Sequence, residues 1–300
     1  DSTVAATGSV LTQSDSNTKI EATGASSSYV ASDVSDIVEA VMPSIVSITN
    51  VSESQYQSFF GGTQTQQSTS CGSGIIVSQD ADNLYIATNN HVVEGADSLT
   101  VAFSDNTTVS AEIKGTDPST DLAVIRVALS SIDSDTLNTI KVATLGNSDD
   151  LKAGQAAIAI GNALGYGTSV TVGYISAVDR EVASEDVNMK LLQTDAAINP
   201  GNSGGALVDD EGKVIGINSS KYSDTSVEGM GFAIPISTAI PIINDIIDAQ
   251  QVSEDEQAYL GIKGTDVSSE LSQYYNMPEG IYVGKVTQDS PAGKAGIKTG

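Results

Sequence analysis

What most limits the fold of this chain is a rhythm. Between Ser44 and Ile234 the sequence is cut into brief runs rich in Val, Ile and Thr, each closed off by clusters of Gly, Asn, Asp or Ser. The runs are Ser44 to Thr49, Gly74 to Val77, Leu84 to Thr88, Leu99 to Phe103, Val109 to Ile113, Leu122 to Val127, Ala156 to Ile160, Ser169 to Ile175, Ala206 to Val208 and Val214 to Ile217. Short strands with a turn signal after each predict an all-β chain built as antiparallel barrels or a sandwich, not an alternation of strand and helix. The cluster Asp209-Asp210-Glu211-Gly212 reads as the turn of a hairpin.

The flanks read differently. Residues 1–35 are dominated by Ser, Thr and Ala with no sustained period, a composition that buries too little surface to offset chain entropy, so a flexible stalk is expected. Val34, Ile37, Val38, Val41 and Met42 then fall on one helical face, with Asp33 placed to cap the helix and Pro43 to stop it. Residues 51 to 72 read as a long loop of Gln, Ser, Thr and Gly. Its Phe59-Phe60 pair is either a contact patch or is buried against the loop's own barrel. Ile236, Ile240, Ile243 and Ile247 share a helical face that closes a domain of residues 36–250. An acidic linker, 251–258, contains Ser253 to Glu256. Residues 259–300 begin a second strand-rich unit at about half the length of an ordinary domain.

Charge and composition exclude several functions. With 13 Lys and Arg against 38 Asp and Glu, the net charge of −25 opposes phosphate backbones and anionic lipid headgroups, leaving proteins or peptides as the expected partners. One Cys, Cys71, forms no internal disulfide, and with a single His it cannot furnish a structural zinc site, so neither metal nor cofactor is expected. Cys71 itself reads as a small buried side chain. The longest uncharged stretch, Ala153 to Val178, carries five glycines and several polar residues, unlike a bilayer-spanning helix. A chain that starts at Asp1 without a basic-then-apolar segment reads as a processed form whose export signal or anchor has been removed.

The chemistry gathers in Asn199-Pro200-Gly201-Asn202-Ser203-Gly204-Gly205, a serine in a tight turn whose glycines let backbone N–H groups point inward. Taken alone the stretch also fits the G-x-S-x-G elbow of α/β-hydrolases, or a plain glycine turn. A serine hydroxyl becomes a nucleophile only beside a base, and His91, the single histidine, sits in Thr88-Asn89-Asn90-His91-Val92-Val93 just past a strand. The third partner is a carboxylate that fixes the imidazole tautomer. Asp121 abuts the apolar run Leu122 to Val127 and is preferred to Asp117, which precedes Pro118 in a turn setting that favours Asp for local reasons. The order His91, Asp121, Ser203 matches neither α/β-hydrolases nor subtilisins, only the chymotrypsin arrangement of two β-barrels with a cleft between them.

Four segments now carry a resemblance. TNNHVVEGA at 88–96, DPSTDLAVIRV at 117–127, QTDAAINPGNSGGALV at 193–208 and GMGFAIP at 229–235 resemble the HtrA/DegP family of trypsin-like serine endopeptidases, over about residues 36 to 300. Tyr259 to Ile262 and Ser290 to Gly296 resemble the start and middle of that family's PDZ domain. The resemblance implies degradation of unfolded or damaged proteins outside the cytoplasm, at a cell surface or after secretion, by a homotrimer or larger assembly. A complete PDZ domain would take C-terminal peptide ligands on backbone N–H groups near Tyr259 to Ile262. It makes His91 the general base and acid, Asp121 its orienting carboxylate and Ser203 the nucleophile, with the N–H groups of Gly201 and Ser203 as oxyanion hole. Ala197, six residues before the nucleophile, and Ile198 would give an apolar specificity pocket suited to small or medium aliphatic P1 residues. Asn202 stands where secreted zymogens use an aspartate that pairs with a new N-terminus, so control is expected instead from loops around 161 to 190 and 219 to 230. Arg180 holds the place of the family's sensor-loop arginine, or is a plain solvated charge. The competing function is a proteolytically inactive chaperone or scaffold that holds clients through the protease fold and PDZ domain.

Overall fold

The computed structural model describes residues 33–57, 63–163, 167–184, 187–222, 229–249 and 260–300. The expected stalk up to residue 32, Phe59-Phe60 and the acidic stretch 253–256 lie outside them. The chain divides into two compact units, one up to Ile247 and one from Asp248.

The first unit holds two closed antiparallel barrels of six strands each. Barrel one contains β1 (Ile45–Gln57), β2 (Thr63–Gln79), β3 (Asn83–Asn89), β4 (Ser98–Ala102), β5 (Thr108–Asp117) and β6 (Leu122–Ala128), in the order β1-β2-β3-β6-β5-β4. Barrel two contains β7 (Ala156–Ala163), β8 (Gly167–Ser184), β9 (Val187–Thr194), β10 (Ala206–Val208), β11 (Val214–Asn218) and β12 (Gly231–Pro235), in the order β10-β11-β12-β9-β8-β7. Every run named from the sequence falls within one of these strands, apart from one or two end residues.

The period of two explains why several strands are apolar on successive residues. In barrel one Val46, Ile48, Ile76, Ile86, Ile125 and Val127 point into the barrel. Their neighbours Ile45, Ile75, Ala87, Leu122 and Val124 join a cluster with Ile158, Ile160, Leu191, Val208 and Ile234 of barrel two. One face fills a barrel and the other packs the barrels together, so neither meets water. Burying a single such Ile contributes about 1.5–3 kcal/mol, and the shared cluster fixes the barrels as one body.

Helix α1 (Ser35–Val41) and helix α4 (Ile236–Asp248) pack on that shared cluster through Val41, Ile236, Ala239 and Ile243. Asp33 accepts from the Ser35 N–H at 2.9 Å, one residue before the position expected for a cap, and Pro43 lies in a 3-10 turn that ends the helix. Two short helices follow strands within the unit, α2 (Asn90–Val93) after β3 and α3 (Ser134–Thr139) after β6. Among the described residues no helix is long and apolar enough to cross a membrane.

Three expectations change. Residues 51–57 and 63–72 are not loop but an extension of the β1–β2 hairpin, with register running from Ile45↔Ile75 to Gln57↔Thr63. The ladder is made by backbone groups, so it does not require the apolar alternation whose absence suggested a loop. Cys71 is exposed, with its thiol 4.0 Å from the Thr49 hydroxyl, because it stands where the hairpin leaves the barrel and burial starts only at Gly72. Most of the span 161–190, read as a control loop, is β-strand.

In the second unit β13 (Ile262–Val267) pairs with β14 (Gly280–Val286), and α5 (Ser269–Tyr275) and α6 (Pro291–Lys294) are capped by Ser268 and Ser290. The Gly261 carbonyl accepts from the Thr287 N–H and the Leu260 carbonyl from the Ala292 N–H, which ties the lead-in of β13 to the segment after β14.

Candidate active site

The edge of barrel one assembles the first two side chains. The β3–β6 register sets Asn89 opposite Leu122, so the residues that follow β3 and precede β6 meet at one strand end. His91 lies on α2, whose first N–H, from Asn90, donates to the Asp121 carbonyl at 3.0 Å. Asp121 has φ +56°, a left-handed backbone that costs most residues free energy but that Asp tolerates.

This backbone turn brings the wholly buried Asp121 carboxylate under the imidazole. His91 Nδ1 is 2.8 Å from Oδ2 and 3.0 Å from Oδ1, and the His91 backbone N–H donates to Oδ1 at 3.1 Å. The Ser219 hydroxyl, just past β11, donates to Oδ2 at 3.0 Å. Three donors, the imidazole Nδ1–H, the His91 backbone N–H and the Ser219 hydroxyl, compensate the desolvation that an isolated buried carboxylate could not bear. A carboxylate accepts, so Nδ1 carries the imidazole proton and Nε2 is left bare. Asp117 is elsewhere occupied: it accepts from the Ser119 N–H and hydroxyl within its own turn. Burial, the largest effect on Asp117, would raise its carboxyl, yet the bonds from Ser119 and Thr120 together hold it below the ordinary carboxylate range.

Ser203 comes from barrel two, in the turn between β9 and β10. Its Oγ is 3.0 Å from His91 Nε2 although 112 residues separate them. The structure thus brings His91, Asp121 and Ser203 into one chain of hydrogen bonds across the two barrels. Sequence reasoning missed four neighbours. Asn89 accepts from the Ser203 hydroxyl at 3.1 Å. Ser220 donates to Ser203 Oγ through its N–H at 3.1 Å and lies 3.2 Å away through its hydroxyl. Ser219 holds Asp121, and Ser73 donates to the Gly201 carbonyl at 2.8 Å while its N–H holds the Ser203 carbonyl at 2.8 Å. Asn89 lay inside a quoted motif, but its contact with a serine 114 residues away has no local signal.

Gly204, directly after the serine, has φ +81°, and a Cβ there would collide with the Ser73 carbonyl oxygen and Thr88 Oγ1. The Ser203 N–H, expected in an oxyanion hole, donates to the Asn199 carbonyl at 3.2 Å, as does the Asn202 N–H at 3.0 Å. Asn202 is buried, accepting from the Asn199 N–H and donating to the Ala197 carbonyl, so it is satisfied with no charged partner. Ala197 is exposed, whereas Ile198 is buried in the core of barrel two beside Ala196 and Leu207. Arg180 lies exposed on β8, beside the ion pair of Asp179 and Lys190. Tyr222, after Ser220, has its phenol pushed up to about 12 by burial and then by the Asp121 charge. Among the described residues no three His, Cys, Asp or Glu side chains gather to hold a metal ion.

The chain is similar to known proteins. Residues 72–217 match the trypsin-like peptidase domain. The chain is 40% identical to the serine protease Do-like HtrA of Bacillus subtilis, over 89% of this chain and 62% of that protein. It is 37% identical to a probable periplasmic serine endoprotease, DegP-like, of Hahella chejuensis, over 89% of this chain and 60% of that protein. It therefore spans about 60% of the length of the curated relatives it matches. Among solved structures, a variant of the HtrA-type protease AlgW with a decapeptide has a TM-score of 0.64 and 35% identity, over 89% of this chain and 82% of that one. Identity at this level across so much of a solved HtrA-type protease, on the same pair of barrels, means that the chain belongs to the HtrA/DegP family of trypsin-like serine proteases.

Proposed function

We propose that this protein is a serine endopeptidase that cleaves unfolded or damaged polypeptides through an acyl-enzyme. The single observation that carries the reading is the hydrogen-bonded line from Asp121 through His91 to Ser203. Ser203 Oγ attacks the scissile carbonyl carbon while its proton passes to His91 Nε2. Asp121 holds the resulting imidazolium, which then protonates the leaving amine. Water reverses the sequence and frees the acid product.

The tetrahedral oxyanion needs the N–H groups of Gly201 and Ser203, each worth about 3 kcal/mol to the transition state. With the Ser203 N–H on Asn199, the turn must rotate before it can serve, so we read this conformation as resting. Apolar Ala197 and Ile198 support a preference for small or medium aliphatic P1 residues; a peptide library dominated by basic P1 residues overturns that preference. Arg180 and residues 219 to 230 are the proposed control elements.

We read residues 36–250 as the protease domain, 251–258 as linker and 259–300 as part of a PDZ domain that takes C-terminal peptides. A place outside the cytoplasm is in keeping with relatives named as periplasmic, and we read the protein as a homotrimer or larger assembly. The test is casein degradation by the natural chain beside Ser203→Ala and His91→Ala. Both substitutions should abolish it; degradation that survives Ser203→Ala overturns the reading of the site, and no degradation by the natural chain overturns it in favour of a client-binding protein.

A further inference from the structure

Ser203 Oγ has one proton and two lone pairs, and four groups compete for them, the most distant being the Ser220 hydroxyl at 3.2 Å. The Ser220 backbone N–H can only donate, so it occupies one lone pair at 3.1 Å. His91 Nε2, bare because Nδ1 faces Asp121, is an acceptor at 3.0 Å. Asn89 Oδ1 is a second acceptor at 3.1 Å. The orientation of this amide is not arbitrary: Asn89 Nδ2 donates to the Asp121 main-chain carbonyl at 3.1 Å, which cannot itself donate, so the oxygen must face the serine. Asn89 and Ser203 are both buried, with 0% and 1% of their surface exposed, so water is a poor substitute at that oxygen.

We infer that Asn89 is a positioning residue for the nucleophile, its side-chain carbonyl receiving the Ser203 hydroxyl proton whenever His91 is protonated and competing with Nε2 for that proton when His91 is neutral. The inference rests on the triad reading above. In the protonated state the chain runs Nε2–H to Oγ, then Oγ–H to Asn89 Oδ1, and the Ser220 N–H fills the second lone pair of Oγ. Without Asn89 the hydroxyl proton keeps only the partly exposed Ser220 hydroxyl, 3.2 Å away, as acceptor in that state, a longer contact than the 3.0 Å to bare Nε2 in the neutral state. Asn89 therefore favours the protonated imidazole, and its loss lets the imidazole stay neutral to lower pH. Among the described residues, Asp121, between β5 and β6, is the titratable group hydrogen-bonded to this imidazole, and the Tyr222 phenol after β11 is close enough to feel the Asp121 charge.

Because His91 is the only histidine, NMR of histidine-labelled protein reads its titration with no assignment problem. The experiment is a double-mutant cycle in the full chain: natural sequence, Asn89→Ala, Ser203→Ala and both together, with Asn89→Leu as a near-isosteric second variant. Asn89→Ala should lower the imidazole titration midpoint by about half a unit to one unit, the worth of one hydrogen bond. In the Ser203→Ala background, where no hydroxyl links the two side chains, the same change should leave the midpoint in place. The acid limb of kcat/KM should move down with the midpoint. A midpoint that does not move, or that moves equally in both backgrounds, overturns the inference, because loosening of Asp121 alone acts without Ser203. Casein degradation that survives Ser203→Ala instead overturns the triad reading, so the two failures are distinct.

Discussion

The Ser203 backbone N–H donates to the carbonyl of Asn199, four residues earlier, at 3.2 Å. One N–H cannot serve both this carbonyl and the oxyanion of a tetrahedral intermediate. A crystal structure of the chain with a peptide boronate bound to Ser203 should therefore show this N–H turned onto the inhibitor's oxygen and the Asn199 contact broken. A covalent complex that keeps the Asn199 contact contradicts the assignment of Ser203 as an oxyanion donor.

Asp121 and Asp117 separate cleanly under substitution. Asp121→Asn keeps a side chain that tolerates the left-handed backbone, so the fold survives, but an amide cannot hold the Nδ1–H tautomer. Peptide hydrolysis should fall roughly 10⁴-fold. Asp117→Asn, whose bonds stay within its own turn, should stay within about two-fold, since it touches no reacting group. Steady-state kinetics of the two purified variants decide the matter.

Gly204→Ala tests the turn behind Ser203. The added methyl meets the Ser73 carbonyl oxygen and Thr88 Oγ1, neither of which can move without opening barrel one, and a φ of +81° adds its own strain. Urea denaturation should show a loss of about 2–5 kcal/mol, the sum of a left-handed backbone penalty and overpacking. A loss below about 0.5 kcal/mol contradicts this account of the site.

Tyr222 predicts a stability change in strong alkali. Its phenol ionises near 12 in the folded chain against an ordinary 10, first because it is half-buried and then because Asp121 is close. Folding thus favours the neutral phenol: the contribution is whole below pH 10 and is lost as the pH rises from 10 through 12. Tyr222→Phe should lose less stability than the natural chain across that window in thermal melts. Parallel losses in the two proteins refute the assignment.

The barrels were legible because their physics is local. A strand with one face in a barrel and the other against its neighbour must be apolar on successive residues, and Leu122 to Val127 announces this from composition alone. The outer part of the β1–β2 hairpin was not legible. Its Ser, Thr and Gln residues are held by backbone ladders that side-chain pattern does not encode. Cys71 was misread for the same reason, since without the hairpin there was no way to see where the barrel ends.

His91, Asp121 and Ser203 could be named from motifs because each sits in a distinctive turn, and their order along the chain selected two barrels with a cleft over competing folds. The sequence by itself therefore determined the strand-rich class, the family and the candidate chemistry. Only the tertiary structure decided which partners surround the candidate residues: Asn89 meeting Ser203 across 114 residues, and Ser219 reaching Asp121 across 98. It also decided that the Ser203 N–H rests on Asn199. Contacts between distant segments depend on the closure of whole barrels, and the state of a glycine-rich turn depends on a few backbone torsions of similar energy, neither of which is written in the local run of residue types.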